Sequence, residues 1–158
     1  MPVSSCRGWE ATLYSLSGRD DGCQKGAEPT RRDVVGRFER DSAHVGRARR
    51  LVRTSLQDWG LERHTAPLEL AVSELVTNAV VHGKGEIEVR LVAEDDELRL
   101  EVADGGGRSM PPRPVRSGSD APGGWGLRLV EEISHGWGAS TGPSKTCVWM
   151  VRRTQEPR

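Results

Sequence analysis

Between Ala43 and Trp59 the small or apolar residues Ala43, Ala48, Leu51, Val52, Ser55, Leu56 and Trp59 recur at helical spacing. That pattern predicts an amphipathic helix, capped by Asp41 or Ser42 and stopped by Gly60. A second helix is predicted from Pro67, a favoured first-turn residue, to His82-Gly83, with Leu68, Val72, Leu75 and Ala79 on one stripe. The period then changes to two. Ile87, Val89 and Leu91 alternate with Glu86, Glu88 and Arg90, and Leu98, Leu100 and Val102 alternate with Arg99 and Glu101. The polar run Glu94-Asp95-Asp96-Glu97 lies between them, so the pair reads as an antiparallel hairpin.

From Gly105 to Gly124 the chain is Gly, Pro, Ser and Arg with almost no apolar residues. A connection of that length is usually functional or loose. Leu127, Val130 and Ile133 mark a third helix beginning at Gly126, and Thr146 to Val151 reads as a last strand. The order helix, helix, strand, strand, long loop, helix, strand predicts an α+β fold. Its form is a two-layer α/β sandwich, with helices on one face of a mixed, mainly antiparallel sheet.

Up to about Pro29 no period is sustained, so residues 1–34 read as an extension, 35–153 as one domain and 154–158 as a tail. A chain of 158 residues holds one such domain and not two catalytic ones. No run approaches the roughly 18 apolar residues of a membrane span, and the start lacks a basic stretch followed by an apolar one. A cytoplasmic location is expected. Lys plus Arg and Asp plus Glu both number 23, which supplies no electrostatic excess for direct nucleic-acid binding. Cys6, Cys23 and Cys147 form no Cys-x-x-Cys, and His44, His64, His82 and His135 have no chelating spacing, so no zinc site is indicated. Arg47, Arg49, Arg50 and Arg53 lie on the polar side of the first helix, either as a solvated face or as a surface for a partner.

Three polar features could carry chemistry. Glu74 and Asn78 are four apart and project from the same face of the second helix. A carboxylate beside an amide oxygen can hold Mg²⁺ or orient a nucleophile, although a plain surface pair has the same spacing. Asp104 ends the second hairpin strand and precedes Gly105-Gly106-Gly107, where bare backbone permits close approach and where a simple turn would also suffice. Gly123-Gly124-Trp125-Gly126 precedes a helix and offers backbone N–H groups to an anion, or merely a turn. No Gly-x-x-x-x-Gly-Lys-[Ser/Thr], dinucleotide glycine fingerprint or Gly-x-Ser-x-Gly elbow is present.

Taken in order, Glu74-Leu75-Val76-Thr77-Asn78-Ala79-Val80-Val81-His82-Gly83, Asp104-x-Gly106 and Gly124-x-Gly126-Leu127 resemble the motifs of the GHKL ATP-binding superfamily of gyrase, histidine kinases and MutL. Within it, the chain looks most like the anti-sigma factor serine/threonine kinases and their actinobacterial relatives. The resemblance covers about Arg37 to Val151. It implies ATP and Mg²⁺ as cofactors, with Asn78 as the Mg²⁺ ligand and Glu74 as the base acting on the attacking hydroxyl or water. It also implies that Asp104 accepts a hydrogen bond from the adenine amino group, a contact that the guanine O6 acceptor cannot supply. Gly106 would admit the base. Gly124, Gly126 and Leu127 would form the phosphate motif, residues 107–123 the lid, and Thr146 a last-strand contact to adenine.

The chain departs from the family pattern in three places. Arg108 stands where many members have a second glycine after Asp-x-Gly. Lys145-Thr146-Cys147-Val148-Trp149 has one residue more than the Lys-Thr-Val-Trp of many close relatives, which reverses the alternation expected around Thr146. Trp125 is larger than the residue common between the two glycines. No helix carrying a phosphoacceptor histidine is evident around His44 or His64, so a complete sensor kinase is not expected. The expected function is phosphorylation of a small anti-sigma antagonist together with binding of a sigma factor, and relatives suggest a homodimer. The alternatives are an inactive ATP-binding partner switch and an ATP-binding domain acting in trans with a signalling partner.

Overall fold

The two alternating segments pair as their pattern predicts. Strands β2 (Ile87–Glu94) and β3 (Glu97–Asp104) form an antiparallel hairpin with Glu94 opposite Glu97. Asp95 turns the chain with a φ of 51°, a left-handed conformation that the short polar side chain of Asp tolerates. The computed structural model describes residues 31–107, 112–113 and 125–155. Ahead of the hairpin lie β1 (Arg32–Phe38), α1 (Val45–Asp58) and α2 (Thr65–His82), and after it α3 (Trp125–Ile133), β4 (Gly136–Thr141) and β5 (Thr146–Arg153). The sheet order is β1-β2-β3-β5-β4, and every pairing among the described residues is antiparallel.

The strand period of two decides the two faces. Ile87, Val89 and Leu91 of β2, Leu98 and Leu100 of β3 and Met150 of β5 are fully buried on one face. The apolar stripes of α1, α2 and α3 cover that face through Val52, Leu56, Leu68, Leu75 and Val130. The opposite face carries charge. Arg90 reaches back to Asp33 with both carboxylate oxygens engaged, and Arg99 pairs with Glu101 at 2.6 Å. The Arg99 guanidinium also lies 4.5 Å from the centroid of the Trp149 ring. The fold is therefore the expected α+β two-layer sandwich.

Boundaries move by a few residues for local reasons. Asp41 does cap, but it accepts from Ala43 N–H at the start of a single 3₁₀ turn, Ser42–His44, that leads into α1. A second 3₁₀ turn, Glu62–His64, leads into α2, which begins two residues ahead of Pro67. Two strands were not expected from the pattern. β1 starts at Arg32, ahead of the expected domain start at 35, and β4 reads Gly-Trp-Gly-Ala-Ser-Thr. Both are edge strands that contain glycine where a neighbour comes close. A Cβ at Gly36 would meet Leu51 Cδ2 at 2.6 Å, and one at Gly138 would meet the Trp149 ring at 2.6 Å.

The end of β5 is tied to the start of α2. Thr154 N–H donates to Asp96 O at 2.7 Å, and the Arg63 guanidinium donates to Thr154 O. Beside it, buried His64 accepts from Arg63 Nε at 3.0 Å through Nε2. Burial holds its pKa below the usual value, Arg63 and Arg152 push the same way, and a hydrogen bond with the Thr154 backbone opposes them. A histidine with a lowered folded-state pKa is bound by fewer protons in the native than in the unfolded chain. Stability from this group is therefore complete above about pH 6.5 and is lost as the pH falls below it. Denaturant midpoints measured from acid to neutral pH should show this fall in the wild type, and His64→Gln should remove that component.

No helix among the described residues is long and apolar enough to cross a membrane.

Candidate functional site

The described residues predicted from sequence as functional come from α2, β3, α3 and β5 and the turn after β3, on the helix-covered side of the sheet. α2 carries Glu74 and Asn78 one turn apart, both half-buried, beside the stripe of Leu75 and Ala79. The position of Glu74 is fixed by α3. A Cβ built at Gly126 would overlap Glu74 Oε2 and would lie 3.0 Å from its Cδ. The carboxylate thus rests on the bare Cα of the second residue of α3.

Asp104 shares the parity of Leu98, Leu100 and Val102, so it points to the helices, and it is 6% exposed. Its Oδ1 accepts from Gly106 N–H at 2.9 Å, which bends the chain as soon as the strand ends. Its Oδ2 lies beside Gly83, the residue that follows α2, where a Cβ would stand 2.6 Å from both Oδ2 and Cγ. The segment after Asp104 is held from two sides. Gly105 N–H donates to Lys84 O at 2.6 Å, and Gly107 N–H donates to Gly142 O at 3.2 Å. Gly106 has a φ of 76°, and a Cβ there would press on Lys145 N and approach Gly142 O to 2.6 Å. Only glycine satisfies both the dihedral and the space.

Thr146 lies opposite Asp104 in the β3–β5 register and is 1% exposed. Its hydroxyl is 2.8 Å from that of Thr141 on β4. Thr146, Val148 and Met150 share the helix-covered face, whereas Cys147 and Trp149 point to the other. Despite the additional residue in its motif, Thr146 therefore stands on the same side as Asp104. Leu127 is buried in the core cluster and anchors the start of α3. Trp125 is 58% exposed, with the Arg128 guanidinium 5.6 Å from its ring centroid. Gly124 and Arg108 lie outside the described residues, as does the expected lid apart from Gly107 and residues 112–113.

Sequence reasoning passed over two members of this arrangement. Gly83 was read as a helix stop and as the end of the α2 motif with no task of its own, although it also makes room for Asp104. Thr141 had no signal, because it belongs to the unexpected strand β4. Among the described residues no three His, Cys, Asp or Glu side chains converge as a metal cage. The Asn78 amide oxygen is a hard donor that suits a partly hydrated Mg²⁺, and the Glu74 carboxylate one turn away can serve as a base. The buried Asp104 carboxylate and the buried Thr146 hydroxyl lie opposite each other across β3 and β5, a pair able to meet a polar ring that presents a donor.

Comparison with known proteins agrees with this geometry. The profile of the histidine kinase-like ATPase domain matches residues 38–152. Among solved structures, the RsbU and RsbW domains of Rv1364c from Mycobacterium tuberculosis are similar, with a TM-score of 0.58 and 22% identity. The match covers 77% of this chain and 32% of that one, so the chain spans about a third of that structure's length, and the likeness is one of fold. No curated protein matches the sequence. The profile spans β2 to β5 and both long helices, including every residue that shapes the site, and the chain belongs to the histidine kinase-like ATPase domain family.

Proposed function

We propose that this protein binds Mg²⁺–ATP and transfers the γ-phosphoryl group to a serine or threonine hydroxyl of a small anti-sigma antagonist, in competition with binding a sigma factor. The observation that carries the reading is the convergence of Asp104 and Thr146, paired across β3 and β5, with Glu74 and Asn78 of α2 on one side of the sheet. The fold shared with a structure that contains an RsbW domain supports the regulatory branch of the family.

Each residue has a physical task. Asp104 accepts from the adenine amino group while Gly106 holds its other oxygen in place. The Thr146 hydroxyl, steadied by Thr141, offers a second polar contact to the ring. Mg²⁺, when bound, screens the charge of the phosphate oxygens. Asn78 would hold it through the amide oxygen, and the backbone N–H groups at the start of α3 would face the phosphates. Glu74 takes the proton of the attacking hydroxyl as its oxygen bonds to the γ-phosphorus, and ADP leaves with the bridging oxygen. Positioning and charge stabilisation supply most of such a rate enhancement.

Asn78→Ala should reduce ATP affinity in Mg²⁺ at least about tenfold, to the value found with a chelator, and leave metal-free ADP binding unchanged. Titration calorimetry in the two buffers reads both quantities. The transfer itself is tested by incubating the protein with Mg²⁺, ATP labelled at the γ-phosphate and small antagonist proteins from the same organism. Label on a serine or threonine supports the kinase reading. ATP binding with no label on any antagonist would instead favour a nucleotide-gated partner switch.

A further inference from the structure

We infer that Gly126 is the positioning residue of Glu74, a task separate from any donation of its N–H to phosphate. The inference rests on the reading of Glu74 as the base. A Cβ at Gly126 would overlap Glu74 Oε2 and would lie 3.0 Å from Cδ and 3.1 Å from Cβ. The methyl would take the place of Oε2, so the carboxylate must leave the position it holds, while the stem at Cδ and Cβ is crowded but not excluded. α3 cannot retreat to make room, because Leu127 and Val130 are buried on the same helix at 5% and 0% exposure.

The backbone itself does not ask for glycine here. Gly126 is helical and is not among the described glycines with positive φ, and in a helix alanine is intrinsically favoured over glycine. Among the described residues, the neighbour that the bare Cα makes room for is Glu74, which supplies all three of the nearest atoms. Sequence resemblance groups Gly126 with the phosphate motif, but a phosphate contact through N–H is open to any residue except proline. The two tasks can therefore be separated by one methyl group.

Gly126→Ala keeps the N–H and adds the methyl. ATP affinity should stay within about threefold of wild type, while the rate of phosphoryl transfer at saturating ATP falls at least about tenfold. Transfer within about threefold of wild type would overturn the inference. A second measurement needs no activity. In the Glu74→Ala background the carboxylate is gone, so Gly126→Ala should raise the melting temperature there and lower it in the wild-type background. Equal shifts in both backgrounds would overturn the inference. Should Gly126→Ala fail to fold, recovery of folding in the double variant supports the steric account, and failure of the double variant overturns it. A wild-type protein that transfers no phosphate would defeat the kinase reading, and the melting cycle would still decide whether Gly126 sets the position of Glu74.

Discussion

Glu74→Gln is expected to lower the rate of phosphoryl transfer by about 10²–10⁴-fold while leaving ATP affinity within about threefold of wild type. Glutamine has the same length and branching as glutamate, so it can occupy the surface beside Gly126 without altering the packing of α2 against α3. It removes the one property that the proposed step needs, a carboxylate able to take the hydroxyl proton. The split between rate and affinity is what distinguishes this account from a structural role. A residue that merely held α2 and α3 together would, when replaced, lose binding and stability along with the rate. Steady-state transfer kinetics and calorimetry on the same preparation measure both sides of the split.

Asp104→Asn is expected to weaken ATP and ADP alike by about 10–100-fold and to narrow the preference for ATP over GTP. The direction follows from the local hydrogen bonds. Oδ1 accepts from Gly106 N–H, so the amide oxygen of asparagine keeps that position and its NH₂ group takes the place of Oδ2. A donor then faces the adenine amino group, which is itself a donor. The guanine O6 acceptor suffers no such mismatch, so GTP loses less. The equal loss of ATP and ADP follows because the base, and not the γ-phosphate, makes the contact. Fluorescence competition or calorimetry with ATP, ADP and GTP reads the three constants, and an unchanged ATP-to-GTP ratio would remove Asp104 from base recognition.

Much of the fold was legible because its central parts obey simple periods. The stripes of α1 and α2 and the alternation of β2 and β3 bury one face each, and the hairpin register follows from the short acidic turn. β1 and β4 were illegible for a common reason. Their sequences include Gly36 and Gly138 where Leu51 and Trp149 press in, and glycine carries no strand signal. As edge strands they also bury less, and β1 devotes Asp33 to Arg90 on the open face.

At the candidate site, Glu74, Asn78, Asp104 and Gly106 could be proposed from motif order alone, but their spatial relations could not. Only the register of β3 with β5 shows that Thr146 faces Asp104. The additional residue in the last-strand motif suggested otherwise, because strand phase is set by pairing and not by distance from a motif. Gly83 and Gly126 show the same limit. Each makes room for a carboxylate on another element, and such vacant space leaves no trace in the chain's own local pattern.

The central claim, an adenine-nucleotide site closed by Asp104 and served by Asn78, is tested most directly by calorimetric titration of the full chain with ATP, with and without Mg²⁺, and with GTP as control. The account predicts saturable binding of ATP that tightens when Mg²⁺ is present and exceeds that of GTP. Binding that ignores Mg²⁺ and does not discriminate the bases, or no binding at all, would contradict it.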